Sequence, residues 1–89
     1  MQQKYYKKFQ QALGQLVRDE RLKRKLKFTI FCYENDIPKT NLYMLEKGNS
    51  NSRLGTLLKV VKSMNMSFEE FGKMLDETFA DLKDDEKQL

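Results

Sequence analysis

Residues 26–48 read LKFTIFCYENDIPKTNLYMLEKG, and how they are read decides the fold. Phe28 to Asn35 has the spacing of a short helix, with Phe31 and Cys32 on its inner face. Asn35-Asp36 can enter the left-handed geometry that ends a helix. Ile37 then plugs the turn. Pro38 presets the backbone at the first position of a third helix, where its missing N–H is harmless. That helix runs to Lys47, turns Leu42 and Leu45 inward and stops at Gly48. Two short helices joined by a tight turn, the second with a polar outer face, have the layout of a helix-turn-helix. The second helix of such a unit lies in the major groove of DNA.

Helical periodicity continues on both sides. Residues 3–25 predict a first helix with Tyr6, Phe9, Leu13, Leu16 and Val17 on one face, and Leu22 and Leu26 supplied to the core. Gly14 interrupts that helix at a propensity cost of roughly 1 kcal/mol, which close approach of another helix would repay. After a polar loop, GNSNSRLG, residues 54–64 predict a fourth helix with Leu54, Leu57, Leu58, Val61 and Met64 inward. Asn65 closes it and Met66 points to the core. Ser67 with Glu70 forms a capping box. The fifth helix then shows Phe68, Phe71, Leu75, Phe79 and Leu82 at helical spacing, a stripe longer than a small core needs. The class is all-α with five helices. Residues 1–71 form the domain, and residues 72–89 form a helical extension with an acidic tail.

Charge is uneven along the chain. Residues 1–28 hold nine Lys/Arg against two Asp/Glu, a net +7, whereas residues 63–89 hold three against eight, a net −5. The basic front flanks the helix-turn-helix and can attract phosphate; the acidic end would be repelled by it. Other functions find little support. There is no histidine, so no Ser/His or Cys/His nucleophile can be assembled. One cysteine, Cys32, cannot form an internal disulfide or a thiolate zinc site, and it fits a reducing cytoplasm. The carboxylates Asp81, Asp84, Asp85 and Glu86 are read as a solvated tail and not as a metal site. No glycine-rich phosphate loop, signal peptide or membrane-spanning run is visible. The expectation is a cytoplasmic, non-enzymatic protein without a cofactor or metal.

The order and spacing of Leu13-Gly14, Val17-Arg18, Arg21, Leu26, Asp36-Ile37, Leu42, Leu45-Glu46-Lys47-Gly48, Leu57-Leu58-Lys59-Val60 and Met66-Ser67-Phe68 are informative together. Across residues 13–71 the chain resembles the lambda-repressor-like, Cro-type helix-turn-helix family, also called the xenobiotic-response-element family. The resemblance implies five packed helices, the second and third forming the DNA-reading unit. It implies an ion pair between Arg21 of the first helix and Glu46 at the end of the third. It also implies base reading by Lys39, Thr40 and Met44, with Tyr43 beside them and Asn41 either turned partly inward or supporting a phosphate contact. Phosphate contacts are expected from Lys27, Thr29, Lys47, Asn49, Asn51 and Arg53. The chain departs from the family in having Lys27 and Phe28 where a hydroxyl residue and a glutamine usually open the second helix. Phe28 is instead expected against sugar or a thymine methyl. Cys32 replaces a small alanine, Asp36 a turn glycine, and Pro38 a hydroxyl cap.

The implied function is sequence-specific binding of double-stranded DNA by a small transcriptional regulator, repressor-like and homodimeric. One module reads few base pairs, so a two-fold dimer on a palindrome is the physical expectation. Phe71, Leu75, Phe79 and Leu82 are the candidate dimer face, set against either the Tyr6/Phe9 face or the chain's own first helix. The alternative is a protein-interaction module of the same fold, such as an antitoxin that holds a toxin.

Overall fold

Alternating inward and outward side chains at helical spacing produce five helices: α1 (Gln2–Lys23), α2 (Phe28–Glu34), α3 (Lys39–Lys47), α4 (Leu54–Ser63) and α5 (Phe68–Asp81). The structure, a computed structural model, describes residues 2–49 and 53–82, with the backbone alone for residues 2–4. Among the described residues there is no strand, and no helix is long and apolar enough to cross a membrane.

One device ends each of the first four helices. Lys25, Asp36, Gly48 and Asn65 all adopt left-handed backbone, with φ of 58°, 55°, 73° and 57°. At each, the left-handed residue donates its N–H three residues back and its successor donates five residues back. The latter bonds are Leu26 N to Arg21 O (2.9 Å), Ile37 N to Cys32 O (2.9 Å), Asn49 N to Met44 O (3.3 Å) and Met66 N to Val61 O (3.3 Å). This pairing satisfies carbonyls that the helix end would leave bare. Three of the four successors, Leu26, Ile37 and Met66, are apolar and pack on or in the core. At the start of α5 the capping box forms in full: Glu70 N donates to Ser67 Oγ at 3.0 Å, and Ser67 N donates to Glu70 Oε1 at 3.3 Å.

The core gathers Leu13, Leu16 and Val17 of α1, Phe31 and Cys32 of α2, Ile37 of the α2–α3 turn, Leu42 and Leu45 of α3, Val60, Val61 and Met64 around α4, and Phe71 of α5. Arg24 ties the end of α1 to the end of α4, donating to the Met64 carbonyl at 2.7 Å and to Glu20 Oε1 at 3.3 Å. Close approach of α1 and α3 is made possible by Gly14. A Cβ there would stand 2.4 Å from the Leu45 carbonyl oxygen and 2.9 Å from that of Glu46.

Several sequence expectations shift by part of a helical turn. Leu22 is half exposed and not in the core, because Leu13, Leu16, Val17, Glu20 and Arg21 set the buried face of α1. On α4 the buried side is Thr56, Val60, Val61 and Met64; Leu57 is partly covered, and Leu54 and Leu58 face outward. Phe68, at the first position of α5, is 67% exposed, and Tyr6 is 50% exposed. In each case apolar residues were compatible with two adjacent faces, and packing selected one.

Candidate nucleic-acid interface

The turn Asn35 to Pro38 joins α2 to α3 and sets their angle. Asn35 Nδ2 donates to the Phe31 carbonyl at 2.8 Å, closing the end of α2. Asp36 follows in left-handed backbone and Ile37 is buried. Pro38 stands immediately before α3, with no side-chain cap. Lys59 of α4 reaches the turn from outside, donating to the Asp36 carbonyl at 2.8 Å, with its Nζ 3.8 Å from Asp36 Oδ2. The start of α3 is therefore held by a proline, a buried isoleucine and a lysine from another helix.

The end of α3 is held more firmly. Arg21 Nε donates to Glu46 Oε2 at 2.7 Å and Nη2 donates to Oε1 at 3.0 Å. The side chains are 8% and 7% exposed, so this two-pronged pair is shielded from water. Arg21 Nη1 donates in addition to the Leu26 carbonyl at 2.8 Å. One guanidinium thus links α1, the α1–α2 connection and the last turn of α3. The hydrogen bond to Glu46 raises the Arg21 pKa, so the cation stays charged at any ordinary pH. Phe28 packs here, its ring 5.3 Å from the Arg21 guanidinium carbon. Phe28 is partly buried and packs against the core.

Between these anchors, Leu42 and Leu45 hold one side of α3 in the core, and the other side faces solvent. Lys39, Thr40 and Tyr43 are exposed, and Met44 is half-buried. Asn41 is exposed as well and not turned inward. Its sequence signal was ambiguous because it lies beside Leu42 on a helix with few buried positions. An exposed asparagine can bond adenine N6 and N7 together; a lysine can donate to guanine O6 and N7. Lys47 Nζ donates to the Tyr43 hydroxyl at 3.2 Å and lies 5.1 Å from the centre of its ring. Tyr43 and Lys47 therefore act as one unit, joining a base-reading candidate to a phosphate-binding one.

Of the other expected phosphate ligands, Lys27 precedes α2 and Thr29 lies in its first turn, both exposed. Asn49 is exposed just after α3, and Arg53 is exposed at the residue before α4. Asn51 lies outside the described residues, as do Asp84, Asp85 and Glu86 of the tail. The expected dimer residues are engaged within the chain. Phe71 belongs to the core with 6% exposure and has almost no surface to offer a partner. Leu75 packs against that core, the Phe79 ring lies 5.4 Å from that of Tyr5, and Leu82 is half-buried at the end of α5. The buried Cys32 thiol has its pKa raised by burial, which keeps it protonated and unreactive at neutral pH.

Comparison with known protein families finds no family model that matches this chain, and no curated protein or solved structure matches it either.

Proposed function

We propose that this chain is a lambda-repressor-like, Cro-type helix-turn-helix domain that binds double-stranded DNA sequence-specifically, as a small dimeric transcriptional regulator of the repressor kind. One observation carries the reading. α3 is locked from behind by Leu42, Leu45 and the Arg21–Glu46 pair, while Lys39, Thr40 and Tyr43 share the exposed side and Asn41 is exposed at its flank. An α-helix with its side chains is about 10–12 Å across and fits a major groove about 12 Å wide. The exposed Lys27, Lys47 and Arg53 supply the sequence-independent attraction to phosphate. Lys39 and Asn41 supply donors for base edges, and the Thr40 methyl and Met44 can touch a thymine methyl.

Selection of bound sites from random duplex DNA tests this directly. The expected result is a palindromic consensus with half-sites about 34 Å apart. Lys39→Ala and Thr40→Ala should each relax preference at one base position by roughly 1–3 kcal/mol, whereas Arg53→Ala should weaken binding evenly across sequences. No enrichment from the random pool, together with no duplex binding in dilute buffer, refutes the proposal.

A second reading, a protein-interaction module of the same fold, is favoured by one feature. Ile30 and Tyr33 stand exposed on α2 beside a cavity of about 550 Å³ lined also by Ile37 and Pro38. Stoichiometric co-purification of a small protein such as a toxin, without duplex binding, would move the assignment there.

A further inference from the structure

We infer that Tyr43 reads one base as a hydrogen-bond donor, selecting the keto bases guanine and thymine over the amino bases adenine and cytosine, and that Lys47 is the positioning residue that fixes this polarity. The inference rests on the DNA-binding reading above and names the base chemistry that one of its residues would recognise.

Helical spacing sets up the pair. Tyr43 and Lys47 lie four residues apart in α3, so their side chains meet on one face. The backbone beneath them is held, because Leu42 and Leu45 are buried and Glu46, next to Lys47, is bound by Arg21. On that frame Lys47 Nζ stands 3.2 Å from the Tyr43 hydroxyl oxygen and 5.1 Å from the ring centre. The ammonium therefore sits at the hydroxyl end of the ring. Both residues are exposed, Tyr43 by 51%.

Counting donors and acceptors decides what the tyrosine can do. A phenolic hydroxyl both donates and accepts, whereas an ammonium only donates. The Tyr43 oxygen must therefore accept from Lys47, and its own proton must point elsewhere. Among the described residues no group accepts that proton. An acceptor brought by a ligand satisfies it. The ammonium adds to the preference, since it attracts an electron-rich oxygen and repels the positive hydrogens of an amino group. Lys39 lies four residues before Tyr43 and is also a donor only. Glu46, the one carboxylate of α3, is engaged by Arg21. An amino group approaching the stripe Lys39, Tyr43, Lys47 thus finds no free acceptor on it.

The major groove presents the matching choice. Guanine shows its O6 acceptor where adenine shows the N6 amino group, and thymine shows O4 where cytosine shows the N4 amino group. A residue confined to donating separates the members of each pair. One such hydrogen bond is worth roughly five- to tenfold in affinity.

Site selection from random duplex DNA, run in parallel on the wild type and on variants at the two positions, tests the inference. Both side chains are exposed, so each variant should keep its helical circular dichroism. The wild type should favour guanine or thymine at one position of the half-site by roughly five- to tenfold, and Tyr43→Phe should lose that preference and no other. Lys47→Met should weaken binding to every sequence, through lost attraction to phosphate, and should also relax that one position. Lys47→Arg keeps a donor and should retain the preference. Added to Tyr43→Phe, Lys47→Met should bring the even loss alone. Replacing the selected thymine by 5-methylcytosine, or the selected guanine by 2-aminopurine, removes the keto oxygen; with the opposite base matched, each should weaken the wild type and spare Tyr43→Phe. The first swap keeps the methyl group, which separates the oxygen from a methyl contact.

A preference for adenine or cytosine at that position would overturn the inference. So would a Tyr43→Phe variant that selects the same sites, an even loss in that variant (the hydroxyl would then be a phosphate ligand), or a preference that survives Lys47→Met. Each of these leaves the DNA reading standing, whereas no binding to any duplex in dilute buffer refutes both.

Discussion

Replacing Gly14 by alanine sets two effects of opposite sign against each other. In an unobstructed helix interior the change stabilises by roughly 0.5–1 kcal/mol, because glycine loses more backbone freedom on folding. Position 14 is obstructed. The new Cβ would lie 2.4 Å from the Leu45 carbonyl oxygen, 2.9 Å from that of Glu46 and 3.0 Å from Gly48 N. All three obstacles are backbone, so no rotamer change relieves them, and α3 must recede by about 1 Å to restore ordinary contact. Overpacking of this kind costs about 1–3 kcal/mol. The movement also pulls on the Arg21–Glu46 bonds at 2.7 and 3.0 Å, which tolerate little displacement. We expect a net loss of about 2 kcal/mol, or roughly 8–16 °C in Tm for a domain of this size. Gly72, inside α5, is the matched control: nothing lies within 4 Å of a Cβ built there. Gly72→Ala should therefore stabilise by about 0.5–1 kcal/mol. Urea unfolding followed by circular dichroism measures both variants. If Gly14→Ala is as stable as Gly72→Ala, α1 and α3 are not in backbone contact and the placement of α3 is wrong.

Three further outcomes are expected. Glu46→Ala strands the Arg21 guanidinium and should cost about 3–5 kcal/mol, whereas Arg21→Met combined with Glu46→Leu should cost much less, as a double-mutant cycle in urea would reveal. Ser67→Ala removes the cap of α5 and should cost about 1 kcal/mol in the same assay, with Ser67→Asn retaining most of it. Cys32 has its pKa raised in the folded state, so its contribution is fully present below the unfolded thiol pKa of about 8.5 and declines as pH rises toward the folded value. The unfolding midpoint should fall more between about pH 7 and pH 9.5 in the wild type than in Cys32→Ala.

Much of the fold was legible because local chemistry and periodicity agreed. Asp36, Gly48 and Asn65 are residue types that tolerate left-handed backbone, and all three adopt it. The Ser67–Glu70 box and the need for glycine at position 14 were likewise visible in the chain. Lys25 was not, since lysine carries no preference for left-handed backbone. Its geometry comes from Leu26 entering the core beside it and from Arg21 binding the Leu26 carbonyl. Leu54, Leu58 and Phe68 misled because hydrophobicity states a preference for burial without saying which face will be covered.

The candidate site divides along the same line. The exposed polar start of α3 and its apolar back follow from the order of residues 39–47 alone, because a helical repeat of 3.6 residues puts Leu42 and Leu45 on one side and Lys39, Thr40 and Tyr43 on the other. The packing of Phe28 beside the Arg21 guanidinium, the tether from Lys59 to the α2–α3 turn and the coupling of Lys47 to Tyr43 could not be settled that way. The first two are contacts between different elements of the fold, and the third is a choice among rotamers. The sequence by itself determined the helices, their ends and most of the core, since these depend on near neighbours and on periodicity. Tertiary structure alone decided which face of α1 and α4 is buried and how Phe71 and Phe79 are spent, because helix faces compete for one small interior and only packing ranks them.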